Sequence, residues 1–93
     1  MNAAEINELK ETGIRLKRKS LKNGKLDPKV KRFINKVLDL KKDEDRIESM
    51  TQFLSMKQEP IPEAFINSFA NGEVRQALHM IIGGMLCEDK KVD

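Results

Sequence analysis

One stretch constrains the fold more than any other. Residues 73–87, EVRQALHMIIGGMLC, form the most apolar window of a polar, lysine-rich chain. Val74, Ala77, Leu78, Ile81, Ile82 and Met85 recur there at helical spacing, so they share one face of a helix. Met80 and Leu86 widen that face beyond a narrow stripe. Two arrangements bury so broad a face. In the first, shorter helices surround this one as the centre of a bundle. In the second, Met80, Ile82, Met85 and Leu86 form a homodimer contact. The first is the simpler expectation.

The segments before it carry narrower stripes. Residues 3–22 predict a first helix, with Ile6, Leu9, Ile14, Leu16 and Leu21 on its apolar side and Asn2 as its cap. Its early Glu5 and Glu8 and its late Arg15, Lys17, Arg18, Lys19 and Lys22 match the polarity of a helix dipole. Gly13 weakens it by about 1 kcal/mol relative to alanine, unless a close helix contact needs the missing side chain. Asn23-Gly24, two residues that tolerate left-handed dihedrals, stops it.

Asp27-Pro28 is a cap followed by the residue favoured at the first helical position. Val30, Phe33, Ile34, Val37 and Leu38 follow at helical spacing, and Lys41-Lys42 close the segment. A third helix, capped by Asp43 or a neighbour, places Ile47, Met50, Phe53 and Leu54 inward, with Met56 at its edge. Pro60 and Pro62 cannot lie inside a helix and break the pattern. Pro62 then starts a short helix over Glu63–Asn71, which Gly72 ends. The final helix frays near Gly83-Gly84 or continues to Leu86. No convincing period-two alternation marks a strand. The expectation is one all-α domain over residues 1–87, a bundle of four main helices plus one short helix, with a disordered tail at 88–93.

Ninety-three residues allow one small core. A single cysteine, Cys87, excludes an internal disulfide and suits a reducing compartment. The acidic start lacks the apolar run of a signal peptide, and no apolar segment is long enough to cross a membrane. These features suggest a cytoplasmic protein.

Charge is distributed unevenly. The net +3 conceals eleven Lys or Arg against two acidic residues in residues 10–36, with a mildly acidic remainder. Such a basic third neutralises phosphates or attracts an acidic protein surface. Arg15, Arg18, Lys19, Lys22, Lys25, Lys29, Arg32 and Lys36 are the candidate contact residues.

Templates for chemistry fail. The run Asp43-Glu44-Asp45 lacks the glycine that a calcium loop needs at its sixth position, where Glu48 stands. His79, the one histidine, has no second His or Cys four residues away, and Cys87, eight residues on, would add one ligand where a metal site needs more. Cys87 is followed by acidic residues, which disfavour a reactive thiolate. Asn23-Gly24-Lys25 lacks the rest of a phosphate loop. Residues 65–81 share part of the spacing of a helix-turn-helix. Their second helix is too apolar to read base edges, offering only Arg75 and Gln76 near its start.

The sequence therefore predicts a non-catalytic protein without a cofactor or bound metal. It would act as a regulator, adaptor or inhibitor by binding an acidic surface of a partner protein. A nucleic-acid-binding regulator using the same basic region is the alternative.

Overall fold

The protein is described from a computed structural model over residues 1–87; the tail expected at 88–93 lies outside the described residues. Its elements run in the order α1 (Ala3–Arg18), β1 (Leu21–Lys22), β2 (Lys25–Leu26), α2 (Pro28–Leu38), α3 (Asp43–Met56), α4 (Glu63–Asn71) and α5 (Val74–Leu86). This is the all-α bundle expected, with α4 as the short helix of nine residues.

Local chemistry accounts for the helix starts. Asn2 and Glu5 form a reciprocal capping box at α1, the Asn2 side chain accepting from the Glu5 amide at 2.8 Å. Asp27 caps α2 by accepting from the Lys29 amide at 2.9 Å. At α3 the cap position is Lys42, not Asp43, and no side chain caps it. Asp43 instead accepts from Arg46 at 2.6 Å, while the same guanidinium holds the Leu40 carbonyl at 2.8 Å. One arginine thus fastens the α2–α3 connection. Pro62 precedes α4 and offers no capping side chain. Glu8 supplies one from α1, accepting from the Ala64 amide at 3.2 Å.

One element departs from the expected pattern. The first helix ends at Arg18 rather than running to residue 22. Leu21 then pairs with Leu26, and Lys22 with Lys25, in an antiparallel hairpin. Asn23 and Gly24 have φ of 56° and 76°, the left-handed pair required by a two-residue type I′ turn. The dipeptide expected to stop a helix therefore reverses a strand. The Asp27 amide closes the base of the hairpin on the Ser20 carbonyl at 2.8 Å.

α5 is the central element. It packs against α1, α3 and α4, and Val74, Ala77, Leu78, Ile81, Ile82 and Met85 are all buried. Its helix continues through both glycines to Leu86. Three contacts show that α1 and α5 run parallel. The N-terminal amine meets Glu73 at 3.3 Å, Gly13 lies against Gly84, and Lys17 Nζ donates to the Cys87 carbonyl at 2.8 Å. A Cβ on Gly13 would collide with the Ile81 carbonyl and stand 2.9 Å from the Gly84 Cα. A Cβ on Gly84 would collide with the Lys10 carbonyl. Gly13 is thus no weak point: it sets the distance between the two helices. Leu9, Leu16, Phe65, Met50 and Leu54 complete the buried centre around α5. α2 packs on α3, and its Val30, Ile34 and Val37 are buried in the core. None of the described helices is long and apolar enough to cross a membrane.

Candidate interaction surface

The structure divides the basic residues into two groups. Arg15 and Lys19 belong to the first, which serves the fold. Both reach Glu59 just beyond α3, Arg15 Nε lying 3.1 Å from Oε1 and Lys19 pairing with Oε2. The Glu59 side chain is only 5% exposed. Burial alone would push its carboxyl up, but hydrogen bonds from Lys19 and Arg15, with their charges, hold it below the ordinary value. Lys19 also donates to the Lys57 carbonyl at 3.2 Å, and Lys57 Nζ returns a bond to the Lys19 carbonyl at 3.3 Å. The end of α1 is thereby tied to the end of α3.

The second group faces solvent. Arg18, Lys22, Lys25, Lys29, Lys31, Arg32 and Lys36 are exposed, and none makes an ion pair among the described residues. Lys22, Lys25 and Lys31 line one shallow depression where the hairpin meets the start of α2. On α2, Lys29 and Lys36 stand four residues before and three after Phe33, so they share its side of the helix. Arg32 lies one turn before Lys36 and extends that row. The exposed cations thus stand in two sets, Lys31 with the hairpin lysines and Lys29, Arg32 and Lys36 along the Phe33 side of α2.

Beside the α2 set lies a groove between α2 and α3, a cavity of about 390 Å³. Val30, Phe33, Phe53 and Met56 give it an apolar floor, and Lys29 and Lys57 stand at its edges. Phe33 stacks on Phe53 with centroids 4.5 Å apart and ring planes 17° apart. Lys57 Nζ lies 5.8 Å from the centre of the Phe53 ring. Met56 is 76% exposed, the most exposed large apolar side chain described. Sequence periodicity assigns Phe33 and Phe53 to the helix interiors and does not single out this groove. Each fits an inward stripe, and periodicity alone does not show that Phe33 stays half-buried at the groove.

The residues considered for self-association are not brought together. Ile82 and Met85 are buried in the chain's own core, at 3% and 1% exposure. Met80 is half-buried and Leu86 is exposed. The breadth of the α5 face is explained by neighbours within the chain, which covers it from three sides. At the start of α5, Arg75, Gln76 and His79 are exposed beside Glu73, whose carboxylate is held by the N-terminal amine.

Among the described residues, no group of three or more His, Cys, Asp or Glu side chains is placed to hold a metal ion. His79 is exposed and makes no side-chain hydrogen bond among the described residues. Comparison with family models, with curated proteins and with solved structures finds no match.

Proposed function

We propose that the protein acts by binding rather than by catalysis, as a regulator, adaptor or inhibitor. Its partner is a carboxylate-rich segment of another protein, held against the basic surface of the hairpin and α2. The observation that carries this reading is the division of the cations. The fold uses Arg15 and Lys19 to neutralise Glu59, yet leaves Lys22, Lys25, Lys29, Arg32 and Lys36 exposed on the hairpin and α2 without a carboxylate partner among the described residues. Unpaired cations grouped in this way attract an acidic partner and orient it on approach. The alternative, a nucleic acid, would use the same charges. It is less favoured because single-strand binding draws on exposed stacking rings, whereas Phe33 is already stacked on Phe53.

The test is a comparison of ligands at low and moderate salt. The wild-type protein should bind a glutamate-rich peptide more tightly than a DNA duplex or single strand of matched charge. Combined reversal by Arg18→Glu, Lys22→Glu and Arg32→Glu should abolish peptide binding while leaving the helical circular dichroism unchanged, since all three residues are exposed. Tighter binding to DNA would replace this reading with a nucleic-acid regulator, and binding to neither would remove both.

A further inference from the structure

The groove between α2 and α3 has features that the charge pattern alone does not explain. Met56 at the end of α3 projects into solvent beside the groove and is the most exposed large apolar side chain described. The Phe33 ring, half-buried, closes one wall by stacking on Phe53. Methionine adapts its shape to what it meets, which suits a binding wall better than a rigid branched side chain would. At about 390 Å³ the open groove has room for one large side chain.

The charges around it define what fits. Lys29 lies at the α2 edge and Lys57 at the α3 edge. Arg32 and Lys36 continue along the same side of α2 as Phe33. Asp27, the one carboxylate in the lining, already accepts from the Lys29 amide as the α2 cap. An apolar floor with cationic edges matches an apolar side chain flanked by carboxylates.

We infer that this groove receives a large apolar anchor residue, aromatic or aliphatic, from an acidic segment of a partner protein. The inference rests on the proposed function and deepens it. The open basic surface attracts the segment, and the groove selects those segments that carry an anchor between their acidic residues. Affinity then comes from desolvating one buried side chain, as at the centre of most protein interfaces.

Two short peptides and one oligonucleotide separate the possibilities. One peptide contains glutamate and serine only. The second is identical except for a central phenylalanine. The third probe is a short single-stranded DNA. The protein is labelled at its methionine methyl groups, so Met56 reports on the groove while Met50 and Met85, both buried, serve as internal controls. The phenylalanine peptide should bind at least about tenfold more tightly than its parent, the gain expected from burying one aromatic side chain. It should also shift the Met56 methyl resonance and leave those of Met50 and Met85 in place. Met56→Gln, neutral and at an exposed position, should erase that preference yet leave the affinity for the parent peptide within a small factor.

Equal binding of the two peptides would overturn the groove assignment and leave the proposed function standing. Binding of neither would overturn both. Preferential binding of the DNA, with the Met56 resonance shifted, would assign the groove to a nucleic acid. A wild-type dimer that Met56→Glu separates would assign it to a second copy of this chain. Either of these last results would also overturn the inference.

Discussion

Two neighbouring residues after α3 show how local cost and long-range contact are balanced. Gln58 has a φ of 57°, a left-handed conformation unusual for a residue with a side chain. It is held there by a Schellman closure, in which the Glu59 amide donates to Leu54 at 2.9 Å and the Gln58 amide to Ser55 at 3.0 Å. Gln58→Gly removes the steric cost of that conformation and should stabilise the protein by about 1 kcal/mol. A melting temperature several degrees higher would register the gain. The same turn delivers Glu59 to Arg15 and Lys19. Its carboxyl is held below the ordinary value of 4.5, so folding favours the ionised form. The resulting stability is fully present above the unfolded value and disappears as pH falls through the lower folded value. Glu59→Gln should therefore destabilise the protein by about 1–2 kcal/mol at neutral pH, the two cations being nearly half exposed. Denaturant titrations of both proteins should converge as the pH is lowered below 4.5. The buried role of Glu59 could not be read locally. Its partner Arg15 is 44 residues away, and an acidic residue before a proline gives no sign of burial.

At the scale of elements, what could be read followed from how local the determining contact is. Asn2 with Glu5, Asp27-Pro28 and Gly72 fix helix boundaries within a few residues, and each stands where the sequence places it. Asn23-Gly24 serves a helix end and a type I′ turn equally well, and strands of two residues are too short for alternation to appear. The hairpin was therefore hidden in an ambiguous signal. The groove was hidden for a different reason: helical periodicity identifies an inward face but not how far away its neighbour stands. The three glycines of the α1–α5 pair make the same distinction testable. A Cβ at Gly83 meets nothing within 4 Å, whereas one at Gly13 or Gly84 meets backbone. Gly83→Ala should stabilise the protein by about 1 kcal/mol through helix propensity. Gly84→Ala and Gly13→Ala gain the same propensity, yet each should destabilise it by about 1–3 kcal/mol net, because two helix backbones must separate. Thermal melts of the three variants would check the order, with Gly83→Ala the only one above wild type.

For the whole molecule, the structure couples a centre closed backbone to backbone to an edge packed through side chains. α1 and α5 touch backbone to backbone, while α2 joins the core through the side chains of Val30, Ile34 and Val37 and bears most of the open cations. Native-state hydrogen exchange should find the slowest amides in α5 and in the middle of α1, and faster exchange throughout α2. Uniform protection across all five helices would show that the bundle opens only as a unit. The open cations thus lie on elements away from the α1–α5 contact that closes the core.

The parallel contact of α1 and α5 has a further consequence for how the chain reaches this state. Gly13 and Gly84 meet across nearly the full described chain, so the contact that closes the core is among the least local in the molecule. Loop-closure entropy makes such a contact slow to form compared with the neighbouring pairs α2–α3 and α4–α5. During synthesis, Leu9 and Leu16 of α1 would remain without their partner surface until α5 has emerged. For that interval the nascent chain presents an apolar stripe next to a dense run of positive charge.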